Sequence, residues 1–454
     1  MTDSENRTRL GRRSLLAGVA GSLGAVAGLS ACGTGTSSAS TENTATQNTA
    51  AEQDAPPGGF PDNRPELEPY GLADTDKDLW PREDNSFVLP LELRPRDREL
   101  GRVWMRDTYV NCFMVDGKPL YVATGTTRVP KLDGAAPWND GIFLWTARSL
   151  RGPWKLADTS RIRPDGERGK VWSPEFVNEN KPGRTVVAPW QEYWHDEEFG
   201  KRGEAWAPEV HYFRGRWYIV ACMGDHSRKV GSFVLVSERG VEGPYRVIKG
   251  NLEKPFGEPL PGGPDVVKPG AYFHIDGSIY TENDDAWLVL HNDLYAKFRK
   301  DMEDIEPTTG LPAFRQTPYK PEPYLEGAYV FKHGGKYFLV QAAWDCTSKN
   351  PDGGTRYAYD PADKEHKQYQ YDAIVAVSDR FEGPYSKRWT AGVGAGHNNF
   401  FKDHKGGLWA TFFRNPAQGY WADPSRKKDA AVAGVVQLEW TGPQGNRLYV
   451  KRRG

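Results

Sequence analysis

Apolar and polar residues alternate in short bursts along most of the chain, a period of two that predicts strands and no long helices. Five segments share one design: an apolar strand, a turn holding Gly or Asp, then a strand dense in Trp, Tyr, Phe, Leu and Val. They are YVNCFMVDGKPLYVATG from Tyr109, VHYFRGRWYIVACM from Val210, SIYTENDDAWLVLHN from Ser278, AYVFKHGGKYFLVQAA from Ala328 and NNFFKDHKGGLWATFF from Asn398. Turn chemistry between β-rich flanks predicts a hairpin at each. A third strand follows several of them and ends in a repeated corner, as in FLWTARSLRGPWK, FVLVSERGVEGPYRV and IVAVSDRFEGPYSK. Hairpin, third strand and Gly-Pro-aromatic corner, repeated at variable spacing, predict an all-β five-bladed β-propeller. A β-sandwich of the same strands would not call for the repeated corner.

The first sixty residues break this pattern. Arg7, Arg9, Arg12 and Arg13 precede a run of Ala, Gly, Leu, Val and Ser, which predicts a secretory signal over 1–31 of the twin-arginine kind. Leu29-Ser30-Ala31 before Cys32 resembles a lipobox, so Cys32 is expected to be lipidated and to become the mature N-terminus. Residues 32–60 contain no large apolar side chain before Phe60 and read as a flexible linker. The expectation is an exported protein, anchored by lipid to the outer face of the cytoplasmic membrane, with a domain over 61–454.

Charge narrows the partners. The 59 Lys and Arg balance 60 Asp and Glu, so no field exists to attract nucleic acid. Cys112, Cys222 and Cys346 lack metal-ligand spacing and are expected to be free thiols. The 16 Trp and 21 Tyr suit stacking on sugar faces as well as filling a large core. Nothing in the composition calls for a partner subunit, and a monomer is expected.

Three acids stand where hairpins begin: Asp107 in WMRDTYV, Asp276 in FHIDGSIY and Glu326 in YLEGAYVF. Acids at the starts of different blades would face one another across a central funnel. Glycoside hydrolysis needs such a set, one carboxylate to activate water and one carboxyl to protonate the leaving oxygen.

With RDTYVNCFMVDGKPLYVATGT, AWAPEVHYFRGRWYIV, IDGSIYTENDDAWLVL, LEGAYVFKHGGKYFLV and GHNNFFKDHKGGLWATFFR in that order, the chain resembles glycoside hydrolase family 43 and its clan of five-bladed glycosidases. The resemblance covers about Val103 to Arg414. It implies inverting hydrolysis with Asp107 as general base, Glu326 as general acid, and Asp276 as the residue that tunes and orients the acid. It also implies arabinofuranoside- or xyloside-like substrates. His397 matches a blade-five histidine near the channel floor, beside which a structural metal ion has a place; no cofactor is required. Arg414 matches a basic residue that follows that blade's second strand and is expected to contact a substrate hydroxyl or the Asp276 carboxylate. Trp206 and Glu209 in WAPEV are expected to wall the pocket.

Family members generally carry Pro where this chain has Thr108, Gly277 and Ala328, which leaves a related clan family open. The insertion from Thr159 to Glu204 holds Trp190, Tyr193 and Trp194, a stacking platform or a pin for the loop. A non-catalytic carbohydrate-binding lipoprotein remains the alternative to an enzyme, and a lyase-type propeller a weaker one.

Overall fold

The computed structural model describes residues 86–98, 101–127, 141–164, 166–176, 178–181, 184–186, 188–192, 204–224, 231–256, 275–291, 293–307, 311–316, 325–344, 371–386, 388–392, 396–413, 431–442 and 446–451. The expected signal peptide, Cys32 and linker lie outside this set, as do Tyr193, Trp194, Cys346 and Arg414.

The five predicted hairpins each form the inner pair of one antiparallel sheet, and the sheets are the blades of a five-bladed propeller. Blade one runs Met105–Val115, Lys118–Thr127, Trp145–Ala147 and Lys155–Leu156. Blade two runs Glu204–Phe213, Arg216–Gly224, Ser232–Ser237 and Arg246–Val247. Blade three has Ser278–Glu282, Asp285–Leu290 and Leu294–Lys297. Blade four has Leu325–His333, Lys336–Trp344, Tyr371–Ser378 and Trp389–Gly392. Two-residue turns with both φ positive, as at Asp116-Gly117 and Arg214-Gly215, match the strand twist and set the inner registers.

Blade five is built from both ends of the described chain. Phe400–Lys402, Leu408–Phe413 and Ala433–Trp440 come from the end, while its outer edge is Ser86–Val88 from the beginning, paired antiparallel with Gly434–Val436. The ring is thereby closed by hydrogen bonds between distant parts of the sequence.

The Gly-Pro-aromatic corners adopt one local structure. Gly152, Gly243 and Gly383 have φ of 87°, 96° and 89°, and each precedes a cis proline. The aromatic side chain that follows turns back onto the carbonyl four residues earlier: Trp154 Nε1 donates to Leu150 O at 3.0 Å, and the Tyr245 and Tyr385 hydroxyls donate to Val241 O and Phe381 O at 2.9 Å. These rings are buried at the outer ends of blades one, two and four, so the corner locks the third strand against the core.

Polar clasps tie neighbouring blades near the axis. The Asn399 amide in blade five imitates a strand partner for Val110 in blade one, accepting from its N–H at 3.1 Å and donating to its carbonyl at 2.8 Å. Tyr109 reaches from blade one to Val210 O in blade two at 2.7 Å, and Ser278 of blade three donates to Glu209 of blade two at 2.6 Å. Of the insertion's aromatics, Trp190 is buried, packs on Trp172 and Phe233, and donates to Asn251 O at 2.6 Å. It pins the loop to the body and offers no face to a sugar. Among the described residues no helix is long and apolar enough to cross a membrane.

Candidate active site

Every inner strand begins with the same kink. One residue in each takes positive φ: Asp107 (50°), Ala207 (46°), Asp276 (55°), Gly327 (65°) and His397 (44°). A slip of register accompanies it between Arg106 and Tyr109, Trp206 and Glu209, and Glu326 and Tyr329. Bulges of this kind re-aim side chains, and Asp and His are among the few residues that enter the left-handed region readily. Two residues further on, Tyr109, Glu209, Ser278 and Tyr329 face Thr124, Val220, Val289 and Val340 across their hairpins.

Asp107, Asp276 and His397 share the kinked position, whereas Glu326 stands one residue before it, where the other blades carry Arg106, Trp206, Ile275 and Gly396. The kink in blade four falls on Gly327. A Cβ built there would lie 3.2 Å from His397 Cδ2, so positive φ and ring contact both favour glycine.

The four groups interlock. His397 Nδ1 lies 3.3 Å from Asp107 Oδ1. Thr126 Oγ1 donates to Asp107 Oδ2 at 2.6 Å and accepts from Ala207 N at 2.8 Å. Asp276 Oδ2 accepts from Gly327 N at 3.1 Å, tying this carboxylate to the peptide next to Glu326. Gly277 N donates to Ser232 Oγ at 3.0 Å, and a Cβ at Gly277 would stand 2.7 Å from that oxygen. Proline, which lacks an N–H, cannot serve there, and this accounts for the departure at Gly277.

Electrostatics separates the groups. Burial alone would raise the Asp107 carboxyl, but the His397 imidazolium, Arg106 and the Thr126 hydroxyl outweigh it and hold the group well below the usual carboxylate range. Burial works against protonated His397, but Asp276, Asp107 and Glu326 overcome it and lift the imidazole from 6.5 to about 10. One cation thus sits within the field of three acids. Among the described residues no group of three or more His, Cys, Asp or Glu is arranged to hold a metal ion.

The residues expected to wall the pocket separate likewise. Trp206 is partly exposed at the position that Glu326 occupies in blade four. Glu209 is buried below, taking the Ser278 hydroxyl at 2.6 Å and facing His211 Nε2 at 3.0 Å. Sequence reasoning missed Thr126 and Arg106. The signal for Thr126 was a hydroxyl two residues beyond the cross-strand partner of Tyr109.

A family model described as glycosyl hydrolases family 43 matches residues 172–430, more than half of the chain. The chain belongs to this family. Within family 43, Asp276, Glu326 and His397 fall inside the matched stretch, and Asp107 precedes it. An Escherichia coli (strain K12) protein, whose name gives it as a candidate beta-xylosidase, is 25% identical over 189 residues. The match takes in 40% of this chain and 29% of that protein, so the chain spans less than a third of its relative's length. Similar solved structures include a family 43 protein of Bacillus licheniformis (15% identity, TM-score 0.45, covering 81% of this chain and 57% of that one). Another is an exo-1,5-alpha-L-arabinanase from a bovine ruminal metagenomic library (12% identity, TM-score 0.47, covering 77% and 97%).

Proposed function

We propose that this protein is an inverting glycoside hydrolase acting on pentose-containing carbohydrate, with Asp107 as base and Glu326 as acid. The observation that carries the reading is the gathering of Asp107, Asp276, Glu326 and His397 at the strand starts, with Asp107 held firmly ionised by His397, Arg106 and Thr126. In the proposed step Asp107 takes a proton from water as its oxygen attacks the anomeric carbon. The bond to the leaving oxygen breaks, and Glu326 supplies the proton that oxygen needs. Asp276 fixes the peptide that carries Glu326. Family membership and the relative's name favour xylosides and arabinofuranosides. Trp206, at the level of Glu326, and Arg414 are the proposed substrate contacts.

A non-catalytic sugar binder would have no use for a carboxylate kept ionised beside a second carboxyl. Two carboxyls suffice for this chemistry, so no cofactor is required, and a metal near His397 would be structural. The protein is proposed to act as a monomer outside the cytoplasm, held by lipid on Cys32.

The test is hydrolysis of aryl xylosides and arabinofuranosides by the wild type and Glu326→Gln, with and without a chelator, the product anomer being read by NMR. Inverted product, a rate indifferent to chelation, and a loss of about 10²–10⁴-fold in the variant are expected on phenyl glycosides. An undiminished variant would remove Glu326 from the mechanism, and retained configuration would remove the single displacement.

A further inference from the structure

The blades repeat not only on their inner strands but also on the second strands behind them. The residue two places beyond the cross-strand partner of Tyr109, Glu209, Ser278 and Tyr329 is Thr126, Cys222, His291 and Ala342 in turn. In blade one this position holds the base, because the Thr126 hydroxyl donates to Asp107. In blade two it carries a thiol. Cys222 is fully buried, and its Sγ lies 3.6 Å from Asp276 Oδ1, across the gap to blade three.

We infer that Cys222 is a positioning residue, whose S–H fixes Asp276 as the Thr126 hydroxyl fixes Asp107. This rests on the catalytic reading above and extends it to a side chain with no contact to substrate. The two oxygens of Asp276 then have separate donors, Gly327 N–H on Oδ2 and the thiol on Oδ1. The Trp206 carbonyl is also 3.6 Å from the sulfur, but a carboxylate oxygen is a stronger acceptor than a peptide carbonyl. Burial and the neighbouring Asp276 raise the thiol well above its usual range, so it keeps its proton and remains a donor at every working pH. Since Asp276 grips the peptide beside Glu326, a loosened Asp276 should harm proton donation to the leaving group more than attack by water.

Leaving-group dependence reads that difference. Dinitrophenyl pentosides depart with little acid assistance, and phenyl pentosides need it. Cys222→Ala should lower kcat/KM about tenfold on the phenyl substrate and no more than about twofold on the dinitrophenyl one, and Cys222→Ser should restore the wild-type ratio. Thermal unfolding of each variant checks folding. Equal losses on both substrates, no loss on either, or a folded serine variant as impaired as alanine would overturn the assignment. Should the alanine variant fail to fold, the wild-type infrared S–H band that disappears in Cys222→Ser decides. It should shift in Asp276→Asn, and an unmoved band would refute the hydrogen bond. A failure of the catalytic reading itself would show separately, as a Glu326→Gln enzyme with no leaving-group dependence.

Discussion

Replacing His397 by Gln removes the cation that faces the three acids but leaves a side chain able to hydrogen-bond Asp107. With an effective dielectric constant of about 20, a charge pair at the observed 3.3 Å attracts by about 5 kcal/mol before desolvation is counted. Lifting the imidazole from 6.5 to about 10 corresponds to about 5 kcal/mol at most, so the two routes agree in scale. After desolvation, a loss of roughly 2–4 kcal/mol of folding stability near neutral pH is the expected cost of withdrawing this cation from the buried carboxylates. The pH dependence has a definite sign. The folded imidazole is more basic than the unfolded one, so its contribution is complete below about 6.5 and disappears as the pH climbs to about 10. Asp107 is the opposite case: its contribution is present above 3.8 and is lost as the pH falls through its lower folded value. Denaturant unfolding from pH 5 to 10 should therefore show a decline above pH 6.5 in the wild type and a flatter curve in His397→Gln. Without the imidazolium the Asp107 pKa should rise, carrying the acid limb of kcat/KM upward with it. Identical alkaline slopes in the two proteins, together with an unmoved acid limb, would refute the ion-pair argument.

Two further outcomes follow from other parts of the molecule. Gly327→Ala meets both a φ of 65° and the His397 ring at 3.2 Å, so it should cost about 1–2 kcal/mol of stability by denaturant unfolding and lower activity further by displacing Glu326; wild-type activity would argue against the tight packing there. Cys32→Ser should move the protein from the membrane fraction to the soluble exported fraction on cell fractionation, and unchanged membrane association would exclude lipid on Cys32 as the anchor.

What could be read in the sequence was local. Turn chemistry and the period of two marked the hairpins at Tyr109, Val210, Ser278, Ala328 and Asn398, and the repeated corner marked the blade ends. Asp107, Asp276 and Glu326 stood out because all three stand where hairpins of different blades begin. The one-residue offset of Glu326 was hidden, since it depends on which residue takes positive φ, and Gly327 does so in place of the acid. Thr126 and Cys222 were hidden because their importance comes from cross-strand register and from the gap between blades. Trp190 shows the same limit: its sequence context suited a stacking platform and a pin equally, and only the packing against Trp172 and Phe233 decides for the pin.

The strand at Ser86–Val88 leaves the ribosome hundreds of residues before Ala433–Trp440, the partner that completes its ladder. During synthesis the first strand therefore waits with an open edge while four blades form behind it. The clasp of Asn399 on Val110 waits as well. Completion of the ring thus requires synthesis through Ala433–Trp440: a translation product cut short of that strand, however well its early blades fold, keeps the Ser86–Val88 edge unpaired, and an open edge is a template for pairing with another chain.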